Sequence, residues 1–599
     1  MVTLDREARR SLPRPGRPGR PGRPGPLGTD AAAESRRTAL LEGALAIACA
    51  VGLAWWCSTI ANDPIHRAGQ VSALAALQLR VALPTLVLAV LVGVAARRAS
   101  TVRRTAVHLA SAAVAGLTTG FLAGGQLFVL RDTPWPLNAD HGDNGALILM
   151  AREVLATGST HSFYPPGIPY TMAMLTEHLG LGNPGLALKP INIWLLALTG
   201  PVVYLAWRLT QGPLVALALM IATVLPQVTP YKSYSPLALT LLLPLVITVL
   251  QLVRTSGRRS TRSNVVHGLL AGLVLGVLFL LYSGWHVWMA PGAAVATAVA
   301  VPWRAGRAAV LRAAALLAAL AVAFVAVTFR YLLVLLDARG VKDTYCSAIT
   351  LSDPAYFGPN PYAKLFWDQP GQWPPFGWFA GLDVFVLALL AGVAVSIALG
   401  LGRPVVFGAL SVFGAAWLAR FWIAHDLEAD RATQLFPRTT NVIQVCLCAL
   451  FVVAVHLALT RGREWATGVR TALPAAAPRP LGPGYAAVAA LVFAALTVGL
   501  AGSAVTNQYL AEKPQFGTGG TLAWYAHNTR TPSGGCPTFA DGGRCTTPTP
   551  QGPLPQSADY ATDQTSATFL EDCEYPWRKA STTTPTTPST PSPAPATAP

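Results

Sequence analysis

Charge is what this chain has least of. Asp, Glu, Lys and Arg together make up 12% of its 599 residues, whereas 52% are apolar, and soluble domains ordinarily carry about a quarter charged residues. That imbalance excludes an ordinary soluble globular protein. Cysteine is also sparse, at eight residues. Cys49, Cys57, Cys446 and Cys448 fall in apolar runs, and no cysteine spacing resembles a zinc site with following His ligands, so no metal centre is expected. No internal repeat is found, which argues against a repeat-built transporter. The acidic stretch His425–Arg431 lacks the glycine turn of a calcium loop, although a divalent cation there stays open. From Ser581 to Pro599 the chain is wholly Thr, Pro, Ser and Ala, which reads as an extended stalk without catalytic side chains.

Long apolar runs are what the chain does have. Thirteen of them are long enough for a helix to cross a hydrocarbon core of roughly 30 Å: about 39–60, 71–96, 105–130, 188–208, 212–229, 236–253, 265–283, 286–303, 309–331, 376–402, 404–424, 439–460 and 485–506. The first is too long in its apolar core for a cleaved signal peptide and lacks a small-residue cleavage site. The expected fold class is therefore an all-α polytopic membrane protein. A basic tail (1–37, with Pro-Gly-Arg three times over) leads into a transmembrane domain (38–506). A small cap (507–580) and the Thr/Pro-rich tail (581–599) follow.

Orientation follows from where the arginines lie. With the N-terminus inside, 26 of the 44 Lys and Arg face inward against six acids, and the other side carries 21 of the 27 acids. This is the positive-inside pattern. The net charge of +17 then reflects topology and anionic lipid, not nucleic-acid binding. The expected location is the plasma membrane, multi-pass, with the N-terminus cytoplasmic and the C-terminus exoplasmic. In outward segments, Cys536 and Cys545 are the expected disulfide pair.

The outward loops are the informative ones. In the first long loop, 131–187, Asp140 and Asp143 precede apolar residues at helical spacing (Leu147, Met150, Ala151, Val154, Leu155), which predicts an amphipathic surface helix over Asn144–Thr157. Phe163-Tyr164-Pro165-Pro166-Gly167 then fixes the backbone before a second short helix, Ile168–Leu179, and Lys189 opens the next span. An acidic residue in the first large outward loop, two surface helices parted by a Pro pair and a cation entering the following span resemble the GT-C class of polyprenyl-phosphate-sugar glycosyltransferases. More narrowly, the chain resembles the galactan arabinofuranosyltransferase A family of actinobacteria. The motifs are Phe163–Gly167, Leu188-Lys189-Pro190, Tyr234-Ser235-Pro236 running into Leu241–Pro244, Leu281–Trp285 and Phe436-Pro437-Arg438, over roughly residues 110 to 460. The family carries a large exoplasmic domain after its last span, whereas only 93 residues follow Thr506 here, so the acceptor is less well indicated than the donor.

The resemblance implies a cell-wall enzyme that moves arabinofuranose from a decaprenylphosphoryl-arabinose-like lipid to a galactan-like polysaccharide, with inversion. Such chemistry needs a carboxylate to take the acceptor hydroxyl proton and fixed cations for the departing phosphate. Asp143 matches the family's loop acid and is the first candidate for the base, and Asp140 the second; as bland alternatives, Asp143 is a natural helix N-cap and Asp140 shapes a turn. Lys189 and Arg438, at headgroup depth, are candidates for the phosphate, with Lys232 a weaker third; snorkelling to the interface is their ordinary alternative. Tyr164, Trp285 and Trp373 offer aromatic faces, and Asp426, Glu428 and Asp430 hydrogen-bonding groups, to acceptor or sugar. Trp and Tyr also form the usual interfacial belt. No cofactor is expected. The rivals are a polyprenyl-phosphomannose-dependent transferase of the same class and a non-enzymatic lipid-linked-sugar flippase. Arg80, inside the second span, is the main ionisable residue at membrane depth.

Overall fold

A lipid-facing segment must satisfy its own backbone, and only helices do so singly; the described residues accordingly contain helices and no strand. The computed structural model describes residues 29–61, 72–96, 98, 100–131, 134–137, 143–160, 162–337, 384–430, 437–470 and 483–509. Met1–Leu41 forms one compact unit, described only as the start of the first helix, and Glu42–Pro599 the other. The helices are α1 (Thr29–Ser58), α2 (Ser72–Ala96), α3 (Ser100–Val129), α4 (Asp143–Thr157), α5 (Gly167–Leu179), α6 (Leu188–Arg208), α7 (Pro213–Val224) and α8 (Tyr234–Arg254). They continue with α9 (Thr261–Leu281), α10 (Gly284–Ala300), α11 (Arg307–Asp337), α12 (Val384–Gly400), α13 (Pro404–Asp430), α14 (Pro437–Arg470) and α15 (Pro483–Tyr509).

Each of the thirteen expected segments overlaps one of these helices, and α4 and α5 are the two short helices of the first long loop, found within a residue of their expected bounds. Nine helices among the described residues are long and apolar enough to cross a bilayer, which makes this an all-α chain of multi-pass membrane type. The apolar parts of α7, α12 and α15 are shorter. Two boundaries differ from expectation. The first helix begins at Thr29, inside the segment read as a tail, and α13 stays helical through Asp430, where a loop was expected from His425.

Small residues set how closely the helices approach. Gly268, Gly272 and Gly276 recur once per turn on α9, and a Cβ at the first two would lie 2.3 and 2.2 Å from the Leu316 and Leu320 carbonyl oxygens of α11. On α3, Gly116 and Gly120 meet the Ala46 and Ala50 carbonyls of α1 in the same way, at 2.0 and 2.5 Å. Lipid offers no hydrophobic drive to pair helices, so close backbone packing of this kind supplies the contact energy. Hydrogen bonds reinforce it: Thr119 Oγ1 donates to the Ala197 carbonyl at 2.8 Å and accepts from the Gly200 N–H at 3.1 Å, joining α3 to α6. The α8 helix lies at the centre, buried along most of its length, and α2, α11 and α15 turn Leu86, Val322 and Leu500 outward.

The bundle has two chemically distinct ends. Arg208, Arg254, Arg258, Arg304 and Arg403 mark one; the first residues of α6, α8, α10 and α14 lie at the other, where α4 and α5 pack beside them. The antiparallel pair α3 and α6 fixes the sense, with His108 beside Arg208 at the arginine-rich end and the Leu130 carbonyl beside Lys189 at the other. Arg80, within α2, donates to Thr59 Oγ1 at 2.6 Å and lies 5.1 Å from the centroid of the Trp56 ring, so its charge is engaged close to the end of α1.

Candidate functional site

The short link from α7 to α8 carries the site's central cation. Pro226 and Pro230 cannot donate to a continuing helix, and the chain instead makes two single 3-10 turns, Leu225–Gln227 and Pro230–Lys232. Buried amides hold that link from three helices. Gln126 of α3 donates to the Pro230 carbonyl at 2.9 Å. Asn192 of α6 donates to the Tyr231 carbonyl and accepts from the Ser233 N–H, both at 3.1 Å, so one side chain brackets Lys232 on both sides. Gln227 donates to Gln444 Oε1 at 2.8 Å and accepts from Asn441 at 2.7 Å, tying the link to α14.

So held, the Lys232 ammonium forms an ion pair with the carboxylate of Asp143, the first residue of α4. Asn144 next to it is buried and donates to the Leu137 carbonyl at 2.8 Å, which fixes where α4 begins. The pair is asymmetric: the Lys232 side chain is 12% exposed and that of Asp143 42%. Lys232 Nζ also lies 5.2 Å from the Tyr282 ring centroid and 5.9 Å from that of Tyr164, within reach of both π faces. Burial alone would push the ammonium down, but attraction to Tyr164 and Asp143 outweighs it, and Lys232 is held above the usual lysine range. Burial likewise pushes the Tyr164 phenol well up, against the pull of Lys232; both groups hold their protons at neutral pH.

Tyrosines build the wall. The Tyr164 and Tyr234 hydroxyls share a hydrogen bond of 2.6 Å. Tyr282 stands edge-on to Tyr164 at 6.4 Å and tilted to Tyr234 at 6.1 Å. Tyr331 of α11 donates to the Phe163 carbonyl at 2.8 Å and meets Ser283 at 2.9 Å, which anchors the Pro165-Pro166 segment. A second cation closes the far side: the Arg438 guanidinium lies 5.1 Å from the Tyr282 centroid. Gly284 leaves room for it, since a Cβ there would lie 2.9 Å from Arg438 Nη1. Among the described residues no carboxylate pairs with Arg438, so two cations and one carboxylate leave the niche net positive.

The sequence candidates divide accordingly. Asp143, Lys232, Tyr164 and Arg438 converge on Tyr282. Lys189 Nζ instead donates to the Leu130 carbonyl at 2.9 Å, joining α6 to α3 at the same end. Trp285 is 5% exposed, with its indole N–H on the Ser235 carbonyl at 2.9 Å and its ring behind Tyr282; it supports the wall instead of presenting a face. Asp426, Glu428 and Asp430 lie in the last turns of α13, and their side chains, like Asp140, Trp373, Cys536 and Cys545, lie outside the described residues. Sequence reasoning passed over Asn192, Gln126 and Gln227. Their signal was present, since each is an amide in or beside an apolar span, where an unsatisfied polar group is costly.

The chain matches no protein-family model and no curated protein.

Proposed function

We propose that this protein is a membrane glycosyltransferase that moves a sugar, arabinofuranose in our reading, from a polyprenyl-phosphate donor to a galactan-like wall polysaccharide on the exoplasmic side. The observation that carries the proposal is the net-positive niche itself. Lys232 and Arg438 flank the Tyr282 ring at the membrane-surface end of the bundle, with a half-exposed carboxylate beside them. A lipid phosphodiester supplies the negative charge that this niche lacks, at the height where its headgroup lies, while the sugar meets the partly exposed Tyr164, backed by the buried Tyr234 and Tyr282.

In this mechanism the donor phosphate engages Arg438 and draws Lys232 away from Asp143. The two cations then stabilise the charge that builds as the bond from the anomeric carbon to the phosphate oxygen breaks. Asp143, released from its partner, takes the proton of the acceptor hydroxyl as that oxygen attacks the opposite face of the sugar. The polyprenyl phosphate leaves with the bonding electron pair and the configuration inverts. Apart from the bond to Lys232, the Asp143 carboxylate has no hydrogen bond among the described residues, so its second oxygen is open to an acceptor.

The test is transfer by purified protein, supplied in parallel with polyprenyl-phosphoryl arabinose and polyprenyl-phosphoryl mannose, comparing wild type with Asp143→Asn. Arabinose transfer lost in the variant, with donor binding kept, supports the reading; mannose transfer alone reassigns the sugar. Wild-type translocation of intact donor between leaflets, without transfer, overturns it in favour of a flippase.

A further inference from the structure

The arginine-rich end of the bundle holds a cavity of about 750 Å3 that the proposed reaction does not use. Three elements enclose it: the end of α8 with Leu250 and Arg254, the end of α10 running into the Trp303–Ala305 turn, and the start of α13 with Phe407. We infer that this cavity is a binding site for an anionic glycerophospholipid.

Its construction is amphipathic in the required sense. Leu250, Val299 and Phe407 form an aliphatic and aromatic wall at the ends of membrane helices, while Arg254 and Arg304 stand at the rim with no carboxylate among the lining residues. Arg254 is steadied by a 2.7 Å hydrogen bond from Nη1 to the Gly402 carbonyl, a neutral partner that leaves its charge uncompensated. Arg403 follows directly in the chain and adds to the positive field. Trp303 is 63% exposed, yet its indole N–H is fixed on the Ala298 carbonyl at 2.9 Å, which sets the ring as an interfacial plate beside the cavity mouth. The volume lies within the roughly 300–1,000 Å3 of ordinary ligand sites. A soluble anion would satisfy the arginines but leave the apolar wall wet; a phospholipid satisfies both, with its phosphate on the arginines and its upper acyl carbons on the wall. By the positive-inside rule this end faces the cytoplasmic leaflet, where anionic lipids are the counterpart of basic pockets between helices.

The test uses the full chain in nanodiscs of phosphatidylcholine with or without phosphatidylglycerol, together with lipid analysis of detergent-purified protein. Wild type is expected to retain phosphatidylglycerol over phosphatidylcholine and to melt higher in its presence. Arg254→Gln with Arg304→Gln, both exposed positions, should weaken retention by about ten- to thirty-fold, given about 1 kcal/mol per basic residue near an anionic surface. The double lysine variant should restore most of it, and Arg461→Gln, exposed and outside the cavity, should change nothing. Equal retention by wild type and the double glutamine variant, equal retention of phosphatidylcholine, or displacement by millimolar inorganic phosphate would overturn the proposal.

Discussion

Two clusters in this molecule use nearly the same side chains to opposite ends. At the arginine-rich end, Glu42 is 1% exposed and fully committed: His108 meets Oε1 at 2.5 Å, and Arg208 Nε and the Tyr204 hydroxyl each donate to Oε2 at 2.9 Å. A further bond, from Arg208 Nη2 to Oε1, measures 3.3 Å. At the other end, Asp143 is 42% exposed and, among the described residues, committed to Lys232 alone. Carboxylate, cation and tyrosine occur in both. What separates them is satisfaction: every oxygen of Glu42 is taken, so the cluster locks α1, α3 and α6 and has nothing left to offer a ligand. Among the described residues, the Asp143 cluster has a cation without a carboxylate, a carboxylate oxygen without a hydrogen bond and one partly exposed ring, Tyr164, in front of the buried Tyr234 and Tyr282, which is the condition for binding something else. A buried charge network stabilises only when complete, and an incomplete one at a surface is where chemistry becomes available.

The comparison is broken most directly by removing each carboxylate. Asp143→Asn should lower transfer by about 10²–10⁴-fold, the range for loss of general base catalysis, with little change in melting temperature, measured side by side on one preparation. Glu42→Ala should do the reverse: it strands Arg208 and His108, costs about 3–5 kcal/mol as expected when one partner of a buried pair is removed, and leaves the specific activity of the folded fraction near wild type. Denaturant titration in detergent with active-fraction counting checks it, and a Glu42→Ala protein that melts normally would show the cluster to be no lock.

Smaller effects sharpen the contrast. Gly284→Ala introduces a Cβ where Arg438 Nη1 now sits at 2.9 Å; it should raise the donor KM about five- to tenfold, equivalent to roughly 1–1.4 kcal/mol, and spare folding. An unchanged KM would mean that Arg438 does not meet the donor. Asn192→Ala removes both bonds that bracket Lys232 and leaves backbone groups unpaired, so about 1–3 kcal/mol of stability should be lost together with activity, distinguishing a positioning residue from Asp143.

The smallest expected effect is with pH. Because Lys232 is held above its usual value of 10.5, the stabilisation from its charged form is complete below that pH and is lost only as pH rises through the higher folded-state value. Donor affinity should therefore stay flat from pH 7 to 9. A fall in that window would assign the phosphate contact to another group.

Much of the scaffold was legible because helical periodicity and run length are local properties. The short helices α4 and α5, expected at Asn144–Thr157 and Ile168–Leu179, appear at Asp143–Thr157 and Gly167–Leu179. The site was legible only as candidates. Lys189 and Lys232 carry the same local signal, a cation near the mouth of a span, yet one lies on the Leu130 carbonyl and the other on Asp143. The extension of α13 through Asp430 was missed because three carboxylates in five residues look like a loop by composition, while nothing in that stretch breaks a helix.

By itself, the sequence determined that the chain is helical and of membrane type, and which end of each helix carries its arginines, because apolar run length and charge placement act on each segment independently. Only the tertiary structure decided which polar groups meet. Lys232 and Asp143 are 89 positions apart and Tyr164 and Tyr234 are 70 apart. Their convergence depends on how closely glycine-lined helices pack and on amides such as Asn192 that aim one link between two helices. Those are properties of pairs of helices, and no single stretch of sequence contains them.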